Sequence, residues 1–140
     1  MPAHQATCVA IGDRALMIEG EAGIGKSSLA LALIDRGAHL LGDDGVWLEP
    51  KDGRLLVRPH EATRGLMEVR NLGLIAFPAR DEAVAALVIV LDAAAPRFVE
   101  SAETTEREGI TLPLLRLWPH DTALPLKAEL ALRRYGLSLG

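Results

Sequence analysis

The octapeptide Gly20-Glu21-Ala22-Gly23-Ile24-Gly25-Lys26-Ser27 constrains the fold of this chain more than any other feature. It fits G-x-x-x-x-G-K-[ST] throughout, a pattern that serves where a strand runs into a glycine-rich turn and the turn opens into a helix. The flanks supply both. Residues 15–18 are an apolar run, and residues 26–36 interleave Leu29, Leu31, Leu33 and Ile34 with alanines, a helix-favouring composition that Gly37 stops. The glycines let backbone N–H groups curl around an anion, and the helix start adds the positive end of its dipole. Lys26 is placed to reach the β- and γ-phosphates of a nucleotide, and the Ser27 hydroxyl to bind Mg²⁺. Residues 20–27, with the adjacent Ser28, are therefore the expected binding loop for ATP.

The rest of the chain builds an α/β frame around that loop. Residues 7–11 and 15–18 flank Gly12-Asp13 as a hairpin, and residues 46–48 and 55–57 flank Lys51-Asp52-Gly53 as another. Residues 38–41 form a short apolar run ending in Gly42-Asp43-Asp44, and residues 68–77 mix strand formers with Gly73. Residues 86–91 read as a buried strand. Residues 111–118 read as a strand that Pro113 places at an edge, and residues 127–135 as a closing helix ended by Gly136. Strands with a few interposed helices predict a mixed sheet. No linker, repeat or low-complexity tract divides the 140 residues, which predicts one domain over 1–140.

Composition removes several classes of function. Apolar residues at 49% and charged residues at 24% make a globular chain. A net charge of −4 gives no basic surface for nucleic acid or anionic membrane, and 4% aromatics leave few rings for base stacking along a strand. The longest apolar run, residues 83–91, is nine residues, against the ~20 a membrane-spanning helix needs. The opening Met-Pro-Ala-His-Gln has no basic region ahead of an apolar one, so a cytoplasmic location is expected. The single cysteine, Cys8, excludes an intrachain disulfide and a cysteine-rich zinc site.

A phosphate loop needs an acid near its metal, and the sequence offers three. Asp92 closes the apolar run 87–91 in the manner of a Walker B strand; Asp43-Asp44 closes the run 38–41; Glu68 heads Glu68-Val69-Arg70. Two adjacent aspartates repel unless a cation lies close, and a Mg²⁺–nucleotide site supplies one, which favours the pair. In a kinase acting on an alcohol, such a carboxylate accepts the hydroxyl proton. His4 is a candidate cationic group near the transferred phosphate, whereas His39, His60 and His120 have no evident partner.

The order His4, phosphate loop, Gly42-Asp43-Asp44 and Glu68-Val69-Arg70-Asn71-Leu72-Gly73-Leu74-Ile75 resembles the catalytic domain of HPr kinase/phosphorylase, over about residues 4 to 136. The resemblance is strongest to short bacterial forms made of the catalytic domain alone. It implies a P-loop core related to that of phosphoenolpyruvate carboxykinase, and a serine kinase acting on HPr, the phosphocarrier of the sugar phosphotransferase system. It also implies a reverse phosphorolysis using inorganic phosphate, ATP and Mg²⁺ as cofactors, and hexameric assembly. Carried over by motif, Asp43 is the general base, His4 and Lys26 act at the transferred phosphate, and Ser27, Asp44 and Glu68 lie at the metal. Three differences stand out: Ala22 replaces a serine common in that family, Asn71 replaces a glycine, and residues 93–109 contain Arg97 and Arg107 but no Asp-Arg pair. A different phosphoryl acceptor, or nucleotide binding without transfer, are the alternative readings.

Overall fold

The structure, a computed structural model, describes residues 2–140. In chain order its elements are strands Ala3–His4 (β1), Thr7–Ile11 (β2) and Arg14–Glu19 (β3), helix Lys26–Asp35 (α1), and strands His39–Gly42 (β4), Val46–Lys51 (β5) and Arg54–Arg58 (β6). After a 3₁₀ turn at Glu61–Thr63 come Leu66–Val69 (β7), Gly73–Ala76 (β8), Ala83–Leu91 (β9), Glu103–Arg107 (β10), Ile110–Leu117 (β11) and helix Leu124–Tyr135 (α2).

β9 is the hub. It carries the longest uninterrupted apolar stretch, and it is covered on both faces. On one side it pairs in parallel with β3; on the other its start pairs with β6 antiparallel and its end with β11 in parallel. The main sheet runs β1-β5-β6-β9-β3-β2-β4, with the β10–β11 hairpin joined through β11, and β7–β8 form a separate hairpin. Three parallel strands, β3, β9 and β11, thus finish side by side at one end, where loops after parallel strands build sites.

Alternation along the strands divides the apolar residues between two cores. Leu16 and Ile18 of β3 face α1 and α2 together with Leu29, Leu33, Ala128 and Leu132. Ala15 and Met17 face the other way, into a core with Cys8, Leu48, Leu55 and Val57, closed by β5 and β6. A bulge in β9 sets this phase: Ala15 pairs with Ala85 but Leu16 with Leu87, so Ala86 and Leu87 both face the helical core. The carbonyl of Ala86 accepts a hydrogen bond from the Leu137 amide (2.9 Å), which ties the tail after α2 to the hub strand.

Three expectations need correction. β11 is not an edge strand along its length: Pro113 sits opposite Thr104 of β10, and pairing with β9 begins one residue later, at Leu114, where the chain again has amides to offer. The last helix begins at Leu124, not 127, because Pro125 suits a first turn, where no amide is needed. β10 has no counterpart among the strands read from the sequence; its Glu-Thr-Thr-Glu-Arg segment has no apolar alternation, and it pairs only with β11. Among the described residues no helix is long and apolar enough to cross a membrane.

Candidate active site

The phosphate loop joins β3 to α1, as its motif predicts. Gly20 takes φ +147° and passes so close to β9 that an added Cβ would lie 3.1 Å from the Leu91 carbonyl oxygen and 3.0 Å from Ile24. Gly23 and Gly25 continue the curl at φ +78° and +115°. The first turn of α1 contains no acidic residue, so its free amides face the loop without an internal anion. Lys26 Nζ donates to the carbonyls of Gly20 (2.8 Å) and Glu21 (2.9 Å), which folds the lysine across the loop. Ile24 donates its amide to the Glu21 carbonyl and rests its side chain on the helical core.

A cavity of about 520 Å³ opens on this loop. Its walls bring together Ala22, Gly23, Gly25, Lys26, Ser27 and Ser28 with Asp43, Asp44 and Glu68, residues far apart in the chain. Arg70 completes the polar lining; it is exposed and has no carboxylate partner among the described residues. β7 carries Glu68, and Arg70 follows in the turn just after the strand.

Of the acids the sequence offered, Asp43 is the one at the loop. Its Oδ1 accepts hydrogen bonds from Ser27 Oγ at 2.6 Å and from Thr7 Oγ1 at 3.2 Å. Thr7 Oγ1 in turn accepts the Asp44 amide at 3.3 Å. Two local features aim the pair. Register slips between β2 and β4, so that Cys8 opposes Gly42 while Val9 opposes Leu40, leaving Leu41 as an extra residue just before the aspartates. Gly42 then turns so tightly that an added Cβ would stand 2.4 Å from the Gly45 carbonyl oxygen. Asp92 serves a turn instead: its carboxylate accepts the Ala94 amide (2.8 Å) and lies 3.6 Å from Arg116. Cys8 is fully buried, and burial pushes its thiol well above the ordinary range, so it offers no thiolate nucleophile.

His4 is not on the cavity wall. Its Nε2 lies 2.8 Å from Glu19, the last residue of β3 before the loop. Glu19 also receives Arg107 in a two-pronged pair, at 2.6 and 3.2 Å. Burial pushes the Glu19 carboxyl up, but hydrogen bonds from His4 and Arg107, with their charges, outweigh it and hold the group below the ordinary glutamate range. An ionised Glu19 only accepts, so His4 Nε2 is the donor in this pair. Arg107 Nη1 also donates to Thr105 Oγ1 and the Glu106 carbonyl. The sequence alone gives no role to Thr7, Glu19 or Arg107. The one available signal is Thr7 itself, a polar residue beside Cys8 and Val9 that proves 1% exposed.

The oxygen donors around Ser27 suit a hard cation. Among the described residues no three His, Cys, Asp or Glu side chains form a metal cage by themselves. Mg²⁺ is usually held by one or two carboxylates plus substrate phosphates, and Asp43, Asp44 and Glu68 on the cavity wall are carboxylates of that kind.

Comparison with known proteins places this arrangement. The family model described as HPr Serine kinase C-terminal domain matches residues 2–80, more than half of the chain. This chain belongs to that family. HPr kinase/phosphorylase of Clostridium beijerinckii is 50% identical over 60 residues, covering 43% of this chain and 20% of that protein. The Streptococcus thermophilus HPr kinase/phosphorylase is 36% identical over 115 residues, covering 73% and 37%. The chain therefore spans about a fifth to somewhat over a third of the length of these curated relatives. The solved HPr(Ser) kinase/phosphatase of Coxiella burnetii superposes with a TM-score of 0.85 at 27% identity, covering 95% of this chain and 89% of that one. The matched segment 2–80 contains His4, Glu19, the phosphate loop, both aspartates, Glu68 and Arg70, so every cavity-lining acid falls within the family's own region.

Proposed function

We propose that this chain is the catalytic domain of an ATP-dependent serine kinase whose acceptor is HPr. One observation carries the reading: the Asp43 carboxylate sits 2.6 Å from the phosphate-loop serine, at the mouth of a cavity lined by two cations and three acids. The loop amides, the α1 amides and Lys26 hold the nucleotide phosphates. Ser27, Asp44 and Glu68 hold Mg²⁺, which when bound neutralises charge on the phosphates. Thr7 fixes the rotamer of Asp43 toward the cavity. Asp43 accepts the proton of the acceptor serine as its oxygen bonds to the γ-phosphorus; the bond from that phosphorus to the ADP oxygen breaks, and ADP leaves with the electron pair. Arg70 and Lys26 offset negative charge on the transferred group. His4 acts at a distance, through Glu19 at the foot of the loop.

The relatives' printed names, HPr kinase/phosphorylase and HPr(Ser) kinase/phosphatase, support the reverse phosphorolysis of phosphoserine as well as the forward transfer. Hexameric assembly and a cytoplasmic setting belong to the same reading, and light scattering on the purified chain tests the first. The variant Asp43→Asn tests the chemistry. Its amide oxygen still accepts from Ser27 and Thr7, so Mg–ATP binding should persist while transfer falls by at least the ~10²–10⁴-fold that general-base catalysis contributes. Transfer at the wild-type rate would remove Asp43 as the base. Lys26→Ala should lose both binding and transfer; unchanged ATP affinity would remove the phosphate-loop assignment.

A further inference from the structure

We propose that the turn between β11 and α2, with Trp118 as its platform, holds the base of the nucleotide; this rests on the nucleotide reading above and extends it to a second, separate cavity. That cavity, of about 490 Å³, is lined by Ala93 on one side and by Trp118, Pro119, His120, Asp121 and Thr122 on the other.

Position is the first argument. Glu19 pairs with Val90, and Arg116 pairs with the same residue from the other side, so β3 and β11 end level with each other across β9. Gly20 passes directly over Leu91. The start of the phosphate loop and Trp118 therefore lie two strand spacings apart, ~10 Å, a distance that a ribose and its α-phosphate bridge. The acids that mark the transfer end, Asp43, Asp44 and Glu68, come from β4 and β7, on the far side of β3. A triphosphate laid along the loop with its γ end at Asp43 points its nucleoside end toward β9 and β11.

Construction is the second argument. The Trp118 ring is 44% exposed yet fixed: its Nε1 donates to the Ala95 carbonyl at 2.7 Å, and the Lys127 ammonium lies over the ring at 5.7 Å. Both walls are closed turns. Asp92 accepts the Ala94 amide on one side, and Asp121 accepts the Ala123 amide and the Lys127 ammonium on the other. A rigid, half-open indole offers stacking area at little ordering cost. His120 and Thr122 are exposed beside it and make no hydrogen bond among the described residues, so their polar atoms are free for the base edge.

Calorimetry on the full chain, with Mg–ATP and with Mg–tripolyphosphate, tests this. Stacking predicts that Trp118→Ala binds Mg–ATP about tenfold more weakly, binds tripolyphosphate as the wild type does, and that Trp118→Phe restores ATP affinity. Equal losses for both ligands, or no loss for ATP, would overturn the base site while leaving the phosphate loop intact. Failure of the wild type to bind either ligand would overturn the nucleotide reading and this proposal with it.

Discussion

Replacing Thr7 by valine removes one hydroxyl at constant shape, and the structure fixes the consequences. The residue is 1% exposed, so water does not take the hydroxyl's place. Two hydrogen bonds disappear: Thr7 to the Asp43 carboxylate at 3.2 Å, and the Asp44 amide to Thr7 at 3.3 Å. A hydrogen bond to a charged group is worth about 1.5–3 kcal/mol, and an ordinary one about 0.5–1.5 kcal/mol. Both distances are long, which puts each near the low end, so the expected loss is about 2 kcal/mol. Urea unfolding should show it as a lower midpoint at unchanged slope. Transfer should suffer separately. Asp43 keeps Ser27 but loses its second anchor, and a base misplaced by ~1 Å costs up to ~100-fold. Single-turnover phosphoryl transfer at saturating Mg–ATP reads that term apart from nucleotide affinity. Thr7→Ser, which keeps the oxygen, should retain most of the rate. Stability within about 0.5 kcal/mol of wild type, a margin typical of a neutral surface change, together with an unchanged rate, would refute the role given to Thr7.

Gly42→Ala should cost about 1–3 kcal/mol or more by overpacking, because the new methyl meets the Gly45 carbonyl at 2.4 Å and Val46 at 2.7 Å; a melting point equal to wild type would show that the turn is looser than described. Glu19→Gln should destabilise by about 1–3 kcal/mol at neutral pH, less than the ~3–5 kcal/mol of a fully buried broken pair. Its pH dependence has a definite sign. The folded carboxyl lies below its unfolded value of about 4.3, so its contribution is complete above that pH and is lost as pH falls through the folded value. Wild type and Glu19→Gln should therefore converge in stability in acid, and a gap that widens there would contradict the ion-pair account.

The features legible in the sequence are local ones. The phosphate loop announces itself because its residues act on their own backbone, and strand, loop and helix are consecutive. The hairpin of β2 and β3 is visible for the same reason, through Gly12-Asp13 between two apolar runs. The choice between Asp43 and Asp92 is harder. Both follow apolar runs, and only sheet order, with β4 reached through β2, decides which faces Ser27. Thr7 matters through contacts made from β2 to the turn after β4, Gly42 through its close approach to Gly45 and Val46, and the Leu41 bulge that aims the aspartates leaves no mark in the hydrophobic pattern. Glu19 and Arg107 lie 88 residues apart on strands that meet only in the fold. β10 is invisible because an edge strand with polar residues on both faces has no period-two signal. Trp118 looks like the end of a strand; its value as a platform comes from the loop after β9 that pins its indole.

The central claim is that Asp43, held by Ser27 and Thr7 beside the phosphate loop, takes the proton of a serine on HPr. The direct measurement is the intact mass of HPr after incubation with Mg–ATP and either the wild-type chain or Asp43→Asn. The account predicts one added phosphoryl group, mapped to serine, with the wild type, and none with the variant although it still binds ATP. Unmodified HPr with the wild type, or equal phosphorylation by both proteins, would contradict it.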